Sequence, residues 1–290
     1  MTSDQFRRNS ENYCYRHPDR QSFVLCQRCL RTICPECQTP AAVGVVCPEC
    51  MKEQQKAQSP AQKKAERRWS RARPMALAAS GGRPIVTYAI IALTAFVFLL
   101  QLIPVLGPQV ENALLFWAPY LYSQGAFQPW RLVTVALVHS GFWHVGLNML
   151  ALWLIGRSLE PLLGRWRFLT LYVLSAVGGS VAVALLSPLT PVVGASGAIF
   201  GLFGALLIIG RHIGANITGI AIILGINLVI GFIPGFNVSW QAHIGGLLTG
   251  LAIGFLFTRT KKKSQRTVQI LLLAAVAAVL VALLFVPVLI

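Results

Sequence analysis

The sequence predicts an all-α polytopic membrane protein that carries a small cytoplasmic zinc-finger domain at its amino end. Three observations carry that prediction. Apolar runs of about 20 residues recur from residue 85 onward, which a soluble domain would not tolerate. All seven cysteines fall before residue 51, six of them in C-x-x-C pairs. Lys and Arg gather in the head and in alternate connections between the apolar runs. The 290 residues are 55% hydrophobic and 12% charged, with a net charge of +16. Most ionisable groups lie in residues 1–84, so a basic head precedes a lipid-compatible body.

The head, residues 1–50, holds four ligand pairs: Cys14/His17, Cys26/Cys29, Cys34/Cys37 and Cys47/Cys50. Eight ligands make two tetrahedral zinc sites with none left over. The overlapping spacing suits a cross-braced arrangement, with the first and third pairs on one ion and the second and fourth on the other. A sequential arrangement remains open. Disulfides are disfavoured on a reducing cytoplasmic side, and four pairs together exceed what a redox motif needs. So short a segment has little core of its own, which makes the zinc structural. The head is expected to bind a cytoplasmic protein partner or to pack on the body.

Residues 51–84 read as a basic linker, with Lys63, Lys64, Arg67, Arg68, Arg71 and Arg73. A basic stretch beside a membrane contacts anionic lipid and enforces topology, so no nucleic-acid partner is expected. No signal peptide is visible at the polar N-terminus, and the first span is expected to serve as an uncleaved insertion signal.

Seven spans are predicted at roughly 85–106, 139–158, 168–187, 196–210, 215–233, 241–258 and 268–289. Arg157, Arg165, Arg167, Arg211, Arg259, Lys261, Lys262 and Lys263 mark one set of connections, whereas the opposite set carries Arg131 alone. The positive-inside rule then puts the N-terminus in the cytoplasm and the C-terminus outside. Residues 85–258 form a six-helix core, and residues 259–290 add a basic loop and the seventh span.

Spans two, four and six share a direction, so their first residues lie at one membrane face. His139, His144, Ser196 and His243 all fall there. Polar intramembrane residues are costly and mark functional sites. Gly197 and Gly201 on span four, and Gly246, Gly250 and Gly254 on span six, form small-residue stripes that let backbones approach closely. That approach would bring Ser196 within hydrogen-bond reach of His243, as a nucleophile needs of its base. His144 and Asn148 are four apart and share a helix face, where they could donate to an oxyanion together with the Ser196 N–H. On a helical wheel His139 falls about 140° from His144, which suits a structural or gating role. Arg157 and Glu160, three apart, are expected to satisfy each other.

With these motifs assembled, residues 85–258 resemble the rhomboid family of intramembrane serine proteases. The resemblance rests on Trp130-Arg131, His144 with Asn148, Gly194-Ala195-Ser196-Gly197, Ala242-His243-Ile244-Gly245-Gly246, and Gly156, Glu160 and Gly164. It implies a Ser196–His243 dyad without an acidic third member and an oxyanion site from His144 and Asn148. It also implies cleavage of other proteins' membrane segments with no cofactor needed for catalysis. Many members carry a tyrosine four residues after the serine; here it is Phe200, which keeps stacking but lacks the hydroxyl. The head resembles B-box zinc fingers found on some bacterial membrane proteins, and a bacterial plasma membrane is the expected location. A catalytically silent client-binding protein is the alternative. A transporter would show intramembrane carboxylates or repeated halves, and the spans offer only Glu160 near an interface.

Overall fold

The structure, a computed structural model, describes residues 10–40, 44–57, 83–122, 127–231, 233 and 238–286. The chain divides into two compact units between Arg73 and Pro74. Most of the expected linker, residues 58–82, lies outside the described residues. Its first residues do not: helix α1 (Pro48–Ala57) runs through residue 51.

The head has two short antiparallel ribbons, β1 (Tyr13–Cys14) with β2 (His17–Gln21) and β3 (Thr39–Pro40) with β4 (Val45–Val46). Among the described residues its buried core is six cysteines, Cys14, Cys26, Cys34, Cys37, Cys47 and Cys50, with Ile33 and Val46 added. Such a core buries too little apolar surface to offset chain entropy, so the fold depends on what the cysteines hold.

All seven expected spans are helices: α2 (Ile85–Gln101), α5 (Phe142–Leu163), α6 (Arg165–Leu186), α7 (Ser196–Ile213), α8 (Thr218–Ile230), α9 (Trp240–Arg259) and α10 (Arg266–Leu283). Between α2 and α5 lie α3 (Gly107–Leu114) and α4 (Arg131–Thr134). Among the described residues four helices are long and apolar enough to cross a membrane, and a fifth span arises if the bent pair of residues 131–137 with α5 counts as one. Helices α2 and α8 are apolar but shorter, 17 and 13 residues, so α8 reaches only about 20 Å at 1.5 Å per residue.

Side chains close the core where α5, α6, α7 and α9 meet, with Leu152, Leu159, Phe168, Leu171, Leu202 and Ile253 fully buried. Lipid is as apolar as these residues, so packing rather than exclusion from water holds the helices together. Glycines let them close. A methyl at Gly246 or Gly250 of α9 would overlap the backbone of Gly197 or Gly201 of α7, and one at Gly245 would overlap Gly178 of α6.

Polar clamps fix the helix ends. Glu160 of α5 accepts from Val86 N–H (2.9 Å), Thr87 N–H (2.7 Å) and the Thr87 hydroxyl (2.7 Å) at the start of α2. These are amides that the helix itself leaves unpaired. The expected Arg157–Glu160 pair is therefore not formed; Arg157 instead lies over the Trp153 ring, 4.6 Å from its centroid. Partners 73 residues away in sequence outcompete the neighbour because they supply three donors to a buried carboxylate. On α10, buried Gln269 donates to the Thr260 carbonyl (3.0 Å) and accepts from Arg167 Nε (2.8 Å), while Tyr122 O–H reaches the Leu284 carbonyl (2.8 Å). The seventh helix is thus fastened at both ends.

Candidate active site

The segment between α4 and α5 turns a corner of 101°. Helix α5 begins at Phe142, so His139 precedes the helix instead of opening it. The wheel argument consequently fails: the His139 and His144 rings meet edge to face, with centroids 4.9 Å apart. His139 is fixed from two sides. Gln101, the last residue of α2, accepts from His139 N–H (3.0 Å) and donates to the His139 carbonyl (3.2 Å). The ring Nε2 accepts Ala195 N–H at 3.3 Å, anchoring the backbone just before Ser196.

The turn before α7 requires glycine. Gly194 has φ +121°, and a methyl there would sit 2.7 Å from the His144 ring. Gly194 N–H donates to the Val135 carbonyl at 3.0 Å. Ser196 is the first residue of α7, at a helix end whose free N–H groups favour negative charge. The eighteen residues of α7 extend about 27 Å, slightly less than a hydrocarbon core of about 30 Å.

His144 is oriented by a residue that spacing could have flagged: Ser140, four positions earlier. Ser140 N–H lies 3.4 Å and its hydroxyl 3.0 Å from His144 Nδ1. A backbone N–H can only donate, so Nδ1 is an acceptor and the ring hydrogen resides on Nε2, the atom beside Gly194. Asn148 is buried and gives one amide hydrogen to the His144 carbonyl (2.8 Å), which leaves its second hydrogen for a ligand.

His243 lies one turn into α9, buried, its ring stacked on Phe200 at 3.9 Å with 14° between planes. Phenylalanine therefore provides the stack expected at this position. His243 Nδ1 has no hydrogen-bond partner among the described residues, and none of their hydrogen bonds joins His243 to Ser196. Both residues, with Gly194, Gly197, His144 and Asn148, line one cavity of about 950 Å³. The cavity continues between α5 and α8 along Leu147, Leu154, Ile220 and Ile223. Arg131, outside the cavity lining, donates to the Leu115 carbonyl (2.8 Å) and to Gln128 (2.6 Å) and lies against the Tyr120 ring.

In the head, Cys14, His17, Cys34 and Cys37 form one tetrad, and Cys26, Cys29, Cys47 and Cys50 the other; within each, ligand atoms lie within 4.8 Å of one another. This is the cross-braced pairing. His17 Nδ1 stands 3.3 Å from Cys34 and 3.5 Å from Cys37, and Cys29 stands 3.7 Å from Cys47. A tetrahedron of 2.3 Å metal–sulfur bonds has edges of about 3.8 Å, so the donors fit a four-coordinate metal ion. Crowding splits the thiols. Burial and the neighbouring Cys14 and Cys34 push Cys37 up to about 11. Cys14 falls to about 6, because backbone N–H donors and His17 outweigh its burial.

Comparison with known proteins agrees with the architecture. The family description Rhomboid domain matches residues 126–260. The chain is 40% identical over 179 residues to the rhomboid protease GluP of Bacillus subtilis (strain 168), a match covering 58% of this chain and 34% of GluP. It is 40% identical over 136 residues to RHOMBOID-like protein 1 of Arabidopsis thaliana, covering 44% of this chain and 34% of that protein. With YdcA of Bacillus subtilis (strain 168), provisionally named a rhomboid protease, identity is 34% over 190 residues, covering 62% of this chain and 92% of YdcA. The chain thus spans 34% of the first two relatives' lengths and nearly all of the third. From this similarity and its apolar helices, the chain is a multi-pass membrane protein that belongs to the rhomboid family.

Proposed function

We propose that the chain is an intramembrane serine endopeptidase that cuts within or near transmembrane segments of other proteins. The observation carrying this reading is the convergence of Ser196, His243, His144 and Asn148 on one cavity that continues between two membrane helices. His243 takes the Ser196 proton as the alkoxide attacks a substrate peptide carbon. The resulting oxyanion takes hydrogen bonds from His144 Nε2–H, the second Asn148 amide hydrogen and Ser196 N–H. Collapse breaks the C–N bond, and His243 returns its proton to the leaving amine. Water, activated by His243, then hydrolyses the acyl-enzyme and frees Ser196. Phe200 holds the imidazole by stacking, in place of an acidic partner. Gly194, Gly197 and His139 shape the backbone before and around the serine. Relative to a triad protease the reaction is slow.

Each head tetrad holds one structural zinc ion, matching the sulfur and nitrogen donors and their separations. The head faces the cytoplasm of a bacterial cell, where it offers a surface to a protein partner, and the C-terminus lies outside; the loop-charge asymmetry supports this. Residues 1–50, 51–84, 85–258 and 259–290 serve as metal module, linker, catalytic core and added helix. The missing Ser196–His243 hydrogen bond favours a second reading, a client-binding protein that does not cut. Catalytic hydrogen bonds often tighten only with substrate bound, which keeps the protease reading first. Cleavage of a single-pass substrate in lipid, by wild type, Ser196→Ala and His243→Ala, separates them. The protease reading requires cutting that both substitutions abolish.

A further inference from the structure

The cavity wall contributed by α8 is one helical face: Ile220, Ile223, Asn227 and Ile230. Asn227 is the single polar side chain between Gly219 and Ile230. It is exposed on a helix of which only Leu224 is buried. Its amide nitrogen donates to the Ile223 carbonyl one turn back, at 2.8 Å. That bond uses one of the two amide hydrogens. The second hydrogen and the carbonyl oxygen Oδ1 find no partner among the described residues. Opposite, α5 lines the slot with Leu147, Leu150, Ala151 and Leu154.

An apolar slot accommodates the side chains of a transmembrane segment but not an opened backbone. Peptide N–H and C=O groups that leave a helix inside a membrane need new partners. A protease must open the helix to bring a peptide carbon to Ser196. Asn227 offers what an opened peptide unit lacks, one donor and one acceptor. It stands one turn in from the end of α8 whose last residue, Ile230, lines the cavity with His243.

We propose that Asn227 is a positioning residue that hydrogen-bonds the substrate backbone just beyond the cut, where the segment unwinds into the slot between α5 and α8. The proposal rests on the protease reading given above. It assigns selectivity for opened backbone, rather than for particular side chains, to one amide on α8.

The test uses the full chain in lipid vesicles, with rates expressed per serine labelled by a fluorophosphonate probe. A synthetic transmembrane substrate receives a backbone ester in place of the amide at each of the second to fifth positions beyond the cut, one at a time. Each ester deletes a single N–H. For wild type, one of these esters is expected to lower kcat/KM about tenfold, as does Asn227→Leu with the all-amide substrate. The two losses overlap: the sensitive ester costs nothing further in Asn227→Leu, and Asn227→Gln or Asn227→Ser restores part of the rate. An unaltered rate in Asn227→Leu, or losses that multiply at every position, overturns the proposal and gives this face of α8 to lipid. Cutting that persists in Ser196→Ala overturns the protease reading instead, and the proposal falls with it.

Discussion

Removing the Glu160 carboxylate should destabilise the membrane body in two graded steps. Its oxygens divide three donors, Val86 N–H on one and both Thr87 groups on the other. Glutamine keeps one accepting oxygen, and the amide rotates to place it toward Thr87. Val86 N–H is then left facing an NH₂ group. One orphaned buried donor costs roughly 1–3 kcal/mol. Alanine orphans all three in a pocket where Glu160 is 2% and Thr87 0% exposed, and at roughly 1–3 kcal/mol for each unsatisfied donor the loss is about 3 kcal/mol or more. Reversible unfolding of the three proteins in bicelles should therefore rank wild type, Glu160→Gln and Glu160→Ala in falling order. A double-mutant cycle with Thr87→Ala should show coupling, since the two share a hydrogen bond. Equal stability for all three, or a glutamine variant as weak as alanine, would refute the clamp.

Ser140→Ala removes the hydroxyl contact on His144 Nδ1 but keeps the backbone N–H that fixes its tautomer, so kcat should fall only about threefold to tenfold, the cost of one neutral hydrogen bond, with KM little altered; steady-state cleavage in lipid reads both constants. Phe200→Tyr should preserve activity to within about threefold, whereas Phe200→Ala removes the stack and should slow turnover about fivefold, as an aromatic contact of about 1 kcal/mol implies. Gly246→Ala forces a methyl into the Gly197 carbonyl and should cost at least about 3 kcal/mol, the upper end for overpacking; unfolding in bicelles gives the value, and a neutral variant would contradict the packing. On the zinc assignment proposed above, a chelator should unfold the head while leaving the helical body intact, seen as lost protease resistance in the head and unchanged far-UV circular dichroism from the membrane helices.

Much of this architecture is legible in the chain because lipid imposes long apolar runs. Seven such runs became seven helices, and the C-x-x-C spacing pointed to the cross-braced tetrads that formed. What escaped was set by groups distant in sequence. Spacing pairs Glu160 with Arg157, yet its donors wait at Val86 and Thr87. His139 stays off the helix that hydropathy assigns it, because a corner, invisible in hydropathy, separates it from α5. Ser140, Gln101 and Gln269 could have been noticed as polar residues at the ends of apolar runs, where each proves to fasten a neighbouring segment. Asn227 carries the same signal on a helix otherwise uniform in character.

The glycine seam between α7 and α9 determines how this site can diversify. Where Gly197 faces Gly246 and Gly201 faces Gly250, the two helices meet backbone to backbone, and that contact sets the interval between them. No side chain can be enlarged or trimmed there to retune it, so the chemical step is held constant through variation elsewhere. Novelty is left to the walls that face α8, where residues are exposed and substitutions have room. On the protease reading proposed above, chemistry and taste in substrates are thereby written on separate surfaces, and selection can revise the second without rewriting the first.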